Sequence, residues 1–278
     1  MALVTLVSAA GSPGVTTTAL GMALQWPRPV VLVEADPSGS SALAAGYFRG
    51  QVDHAGLVDL VAAHRSGLLA EALPRIVMPI EDTRVSVLFG SRSHEQAAGL
   101  ARLWEPLLRV LRGVAAEGQD VIVDAGRLGL ASWPRALVTA ADLTLLVTRS
   151  TLPALVAARS WAESLAQDVL PGHDAKLLLV GEGRPYRAGE VVKTLGLGVV
   201  GSIAWDPERA AVLSEGAVKP RPRWGGPSAA ERSFRHSELM GSLRAAGESI
   251  LKASGASNGE SRLLHGLIAA RTGQESLS

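Results

Sequence analysis

The chain contains no cysteine, which excludes disulfide frameworks, thiolate nucleophiles and Cys-ligated zinc or iron–sulfur sites. Aromatic residues make up only 4%, and asparagine occurs once, at Asn258. No apolar run reaches the roughly 18 residues of a membrane span, and the first ten residues, Met1 to Ala10, carry no basic leader segment. The expected location is the cytoplasm, with at most peripheral contact at the inner membrane face. An excess of charge is lacking too: 27 Lys and Arg stand against 26 Asp and Glu, a net +1. Binding to nucleic acid would therefore have to rest on a local patch. Metal-hydrolase and triad signatures are also missing. His54, His64, His94, His173, His236 and His265 form no i, i+4 pair, and no serine sits in G-x-S-x-G.

What remains is a chain of 278 residues, 47% hydrophobic and 19% charged, a composition that suits a globular α/β protein. Short runs rich in Val, Leu and Ile recur at Leu3–Val7, Val30–Val33, Val85–Leu88, Val121–Val123, Leu143–Val147, Leu177–Val180 and Val199–Ile203. Apolar runs without alternation predict strands buried on both faces of a parallel sheet. Segments of helical period lie between them, notably Ala97–Val114 and Leu152–Leu165. The expected fold is a doubly wound, mostly parallel sheet of about seven or eight strands flanked by helices, with its site in loops that follow strands. After about Val218 the pattern changes to a Pro/Gly-rich loop, Lys219–Ser228, and a helix over Ala229–Ala253. The expected organisation is one domain over residues 1–253, then a linker and a short amphipathic tail over 254–278, with Leu263, Leu264, Leu267 and Ile268 on one face of 262–271.

The segment Ser8–Thr18 (SAAGSPGVTTT) follows the first strand and opens a helix. A Gly-rich turn there aims backbone N–H groups into one concavity at a helix N-terminus, which suits a phosphate. Against the pattern G-x-x-x-x-G-K-[ST], Ala9 stands for the first Gly, Gly14 for the second and Val15 for the lysine. A plain strand-to-helix turn with threonine capping the helix is the structural alternative.

Four further segments keep company with this one. They are Glu34–Ser40 (EADPSGS), Gln119–Asp124 (QDVIVD), Ala141–Thr148 (ADLTLLVT) and Leu195–Val218 (LGLGVVGSIAWDPERAAVLSEGAV). In this order they resemble the ParA/MinD family of deviant-Walker P-loop ATPases. The resemblance implies that Gly11, Ser12, Pro13, Gly14 and Val15 line a nucleotide's phosphates, that Thr16 ligates magnesium and that Thr17 meets the α-phosphate. It further implies that Asp36 positions the attacking water and that Asp124 holds the metal through its water shell. The implied ligand is ATP or ADP with Mg2+.

Two lysines of the family pattern are absent: Ala10 replaces the signature lysine and Val15 the Walker lysine. Removing one preorganised transition-state stabiliser typically slows a reaction about 10²–10³-fold, so weak or absent hydrolysis is expected. Arg127 and Arg149 are candidate substitute cations, with ordinary surface arginines as the alternative. Gly181 stands where the family commonly carries an adenine-reading asparagine. Gly56–Leu60 (GLVDL) and Val85–Gly90 (VSVLFG) resemble the TadZ/CpaE branch of pilus-assembly localisation proteins. Three readings follow: a spatial organiser that dimerises around nucleotide and recruits a secretion, pilus or polarity partner, a nucleotide-independent pseudo-ATPase module, or a DNA-partition ATPase. Lys219, Arg221, Arg223, Arg232 and Arg235 against Glu231 are the residues for DNA, or else a solvated face. Residues 262–271 are the candidate for a weak membrane-surface contact, with packing on a partner or a disordered tail as the alternative.

Overall fold

A computed structural model describes residues 2–10, 13–221 and 227–255. Gly11, Ser12, Arg223 and the 262–271 tail lie outside them. The strands are β1 (Leu3–Ser8), β2 (Val30–Glu34), β3 (Met78–Pro79), β4 (Val85–Leu88), β5 (Asp120–Arg127), β6 (Leu143–Arg149), β7 (Asp174–Val180) and β8 (Val199–Ile203). The helices are α1 (Val15–Leu24), α2 (Leu57–Arg65), α3 (Leu69–Ile76), α4 (His94–Ala98), α5 (Trp104–Ala116), α6 (Arg135–Thr139), α7 (Leu152–Asp168), α8 (Ala188–Leu195), α9 (Pro207–Ser214), α10 (Pro227–Arg235) and α11 (238–255). A π-helical turn, Leu43–Tyr47, follows the loop after β2.

The eight strands form one sheet in the order β3-β4-β2-β5-β1-β6-β7-β8, and every pairing is parallel except β3 with β4. Period-two geometry sends alternate residues to opposite faces. Leu3, Val31, Val121 and Leu177 join one core with α2, α3, α5, α6, α7 and α8, while Val4, Leu32, Ile122 and Leu178 join the other with α1, the π-turn, α9 and α11. Both faces are covered, which is why the strands read as continuous apolar runs. From β1 the chain winds outward to β2 and later returns to β6 on the other side. The crevice beyond the carboxyl end of β1 is thus the switch point where such sheets take ligands.

Three elements differ from the sequence reading. The single helix expected over Ala97–Val114 is divided into α4, a 3₁₀ turn at Gly99–Arg102, and α5. Pro106 is the reason: it has no N–H to donate to an earlier carbonyl and is tolerated only in the first turn of a new helix. The helix expected over Ala229–Ala253 breaks at His236 and Ser237, where the Ser237 hydroxyl accepts the Met240 N–H at 3.3 Å and starts α11. β3 has no apolar run to announce it. It is a two-residue edge strand whose Pro79 suits the unpaired rim of a sheet.

Candidate functional site

A cleft of about 750 Å3 opens at the carboxyl ends of β1, β2 and β5. Its floor is the turn into α1, where Gly14 takes a left-handed conformation at φ +92° and its carbonyl accepts the Thr18 N–H at 2.8 Å. Pro13, Gly14, Val15, Thr16 and Thr17 all line the cleft, as do Asp36, Gly126 and Arg127. The structure therefore brings together every described residue of the predicted site except Asp124, which lies fully buried just beneath, against Thr16.

Asp124 is held there by the sheet. β5 pairs with β1 on one side and β2 on the other, so Asp124 stands in register with Leu6 and Glu34. One carboxylate oxygen, Oδ1, accepts the Gly126 N–H at 3.1 Å, whereas Oδ2 is buried with no hydrogen-bond partner. Burial pushes the Asp124 carboxyl up to about 7, the Asp36 and Glu34 charges add to the rise, and the Thr16 hydroxyl and Gly126 N–H oppose it. Glu34 is likewise raised by burial, despite hydrogen bonds from the Ser41 hydroxyl at 2.6 Å and from the Leu43 and Gly90 N–H groups. Sequence reasoning gave Glu34 no role. Its position two residues before Asp36, at the end of an otherwise apolar strand, is the signal that was there to use.

Asp36 is half-buried and accepts the Ser38 N–H at 2.8 Å. Its carboxylate lies flat against Gly126, whose φ is +63° and where a Cβ would fall 2.2 Å from Asp36 Cγ. Glycine is needed at 126 for both reasons, and this second requirement was not legible in sequence. Asp36 thus lines a cleft that opens at a helix N-terminus, with the buried carboxylates of Asp124 and Glu34 close beneath. Among the described residues no group of three or more His, Asp or Glu could hold a metal alone. The donor set still fits magnesium, which keeps several waters and takes one or two protein oxygens together with phosphate. An unpartnered buried carboxylate oxygen beside a threonine hydroxyl is such a set.

The cations are sparse. Arg127, exposed on the rim, is the one arginine among the described residues lining the cleft, and no lysine joins it. Val15, where a lysine was expected by pattern, is 7% exposed and packs into the core under α1. Ala10 is exposed. Arg149 does not line the cleft, contrary to its candidacy as a substitute cation. Its guanidinium stacks 4.5 Å from the Trp205 ring centre, an arrangement that favours a cation over an aromatic face. Trp205 in turn covers Gly181, where a Cβ would lie 3.3 Å from Trp205 Cβ.

This fold recurs in solved structures. A cell division ATPase MinD from Pyrococcus furiosus superposes with a TM-score of 0.67 at 18% identity, covering 91% of this chain and 99% of that one. The fold is that of MinD and ParA ATPases. The septum site-determining protein MinD of Pyrococcus horikoshii, solved with Mg-ADP, gives 0.66 at 16% identity over 91% and 97% of the two chains. A ParA family ATPase from Chlorobium tepidum gives 0.65 at 16% over 88% and 97%. No protein-family model matches the chain, and no curated protein matches it either. The MinD/ParA fold accounts for the eight-stranded, mostly parallel sheet and for a cleft at the end of β1. Of the basic side chains predicted for DNA, the described ones, Lys219, Arg221, Arg232 and Arg235, lie elsewhere, on the α9–α10 side of the molecule, where Lys219 and Arg235 both hold Glu231; Arg223 lies outside the described residues.

Proposed function

We propose that this protein is a MinD/ParA-like spatial organiser that binds ATP or ADP with Mg2+ in the cleft and hydrolyses it weakly or not at all. The observation that carries the reading is that Thr16, at the start of α1, stands against Asp124, a fully buried carboxylate whose Oδ2 has no hydrogen-bond partner. In this reading the backbone from Gly11 to Val15 cradles the phosphates, Thr17 meets the α-phosphate, and Thr16 and Asp124 hold the ion. Magnesium, when bound, neutralises phosphate charge. Asp36, fixed against Gly126, orients the attacking water. Arg127 is the remaining phosphate-facing cation, and one arginine on a solvent-exposed rim stabilises a developing charge far less than two enclosed lysines would.

Slow turnover suits a scaffold or a long-lived switch better than a partition cycle that hydrolysis must reset. The protein would dimerise around nucleotide and recruit a protein partner. The likeness of Gly56–Leu60 and Val85–Gly90 to the TadZ/CpaE branch supports a partner in pilus or secretion assembly. Phosphate release, measured on protein shown to bind Mg-ATP, tests the reading. Binding with negligible release is expected. Turnover at ordinary enzyme rates would contradict the scaffold part, and absence of binding would contradict the nucleotide part.

A further inference from the structure

Two depressions, of about 700 and 640 Å3, lie on the side of the sheet covered by α1, α9 and α10. They share Tyr47, Val212, Lys219 and Glu231 and so form one elongated trough. Its floor is apolar: Phe48 and Val52 lie toward one end, Val212 at the join, and Trp26, Ile80 and Met240 toward the other. Its walls are basic. Arg49 and Arg221 stand at the first end, Lys219 in the middle, and Arg84, Arg235 and Arg244 at the second, against Glu231, Glu81 and Asp82. Six cations face three anions here, although the whole chain carries only +1.

The middle of the trough is braced. Lys219 is ion-paired with Glu231 and lies 5.5 Å from the Phe234 ring, and Glu231 also holds Arg235 at 2.9 Å. Arg49 adopts φ +53°, uncommon for a side chain of this size, and its Nε donates to the Gly216 carbonyl at 2.5 Å. Arg49 is exposed and lines the trough. Arg221 and Arg244 are exposed and, among the described residues, have no ion-pair partner. Val218 stands on the rim, 73% exposed.

We infer that this trough docks an acidic segment of a protein partner, with a bulky apolar side chain seated on the floor and carboxylates meeting the cations at both ends. Length favours a peptide over a small molecule: pockets for the latter run to roughly 300–1,000 Å3, and this trough is two such depressions end to end. Charge complementarity fixes the sign of the partner. The apolar floor favours a peptide over duplex nucleic acid, whose charged backbone has no apolar side chain to bury there. The inference does not rest on nucleotide binding, since no trough residue lines the cleft.

The test is to pan a random peptide library against the full chain and measure the selected peptides by fluorescence anisotropy. Enriched sequences are expected to carry acidic residues around one large apolar residue. Their affinity should fall roughly tenfold in R221E/R244E, a variant of two exposed residues that leaves the fold intact by circular dichroism. Val218→Ser should weaken the same peptides without changing their salt dependence. Absence of enrichment, selected peptides without acidic character, or affinity indifferent to R221E/R244E would overturn the inference. So would salt-dependent binding of duplex DNA that is lost in the same variant and competes with the peptides.

Discussion

Asp124 is the residue on which the site turns. An aspartate in the unfolded chain titrates near 3.8, and burial moves the folded value to about 7. Between those limits the folded state holds a proton that the unfolded state has lost. The contribution of this carboxyl to stability is therefore fullest below about pH 4, declines as pH rises toward 7 and levels off beyond it. Asp124→Asn removes this dependence. In urea denaturation without nucleotide, the variant should match wild type near pH 4 and exceed it at pH 8, by at most about 4 kcal/mol. A variant less stable than wild type at pH 8 would show that Asp124 has a hydrogen-bonded structural role instead. Gly126 offers a second test at the same scale. Gly126→Ala strains a positive φ and drives a methyl into the Asp36 carboxylate, whereas Gly50→Ala strains a similar φ, +67°, with nothing within 4 Å. Both should lose about 1–2 kcal/mol to backbone strain, and the further loss at Gly126 measures the displacement of Asp36.

Among the elements, the π-turn after β2 is pinned more tightly than its sequence suggests. A Cβ at Gly46 would fall 2.0 Å from the Ser214 carbonyl at the end of α9, so Gly46→Ala should cost about 1–3 kcal/mol of thermal or urea stability. The break between α10 and α11 is capped by Ser237, and Ser237→Ala should cost about 1 kcal/mol. These elements also show where sequence reasoning succeeds and where it stops. The seven apolar runs each became a strand because burial on both faces leaves its mark on every residue of a strand. Pro106 and Ser237 divided helices that an unbroken apolar period had joined, since period alone does not register a missing N–H or a cap. The site divides in the same way. Gly14 came from the Gly-rich turn after the first strand, Thr16, Asp36 and Asp124 from the resemblance of five ordered segments to a known family, and Arg127 from its place just beyond Asp124. Glu34, the fit of Asp36 on Gly126, and the engagement of Arg149 by Trp205 depend on which strand ends lie side by side, which no local pattern encodes.

At the scale of the molecule, the sheet order does the positioning. With β1 at the point where the winding reverses, the turn into α1 opens between β2, β5 and β6, and the carboxylates of β2 and β5 meet beneath it. The two faces of the sheet are closed by separate cores, so the cleft at the strand ends and the basic trough beside α9 and α10 are independent surfaces of one body. No helix among the described residues is long and apolar enough to cross a membrane. The account stands on nucleotide binding without lysine. Isothermal titration of Mg-ATP into wild type and Thr16→Ala tests it most directly. Micromolar binding to wild type that needs magnesium and is lost in the variant is the predicted result. No heat with wild type, or equal affinity in the two proteins, would contradict it.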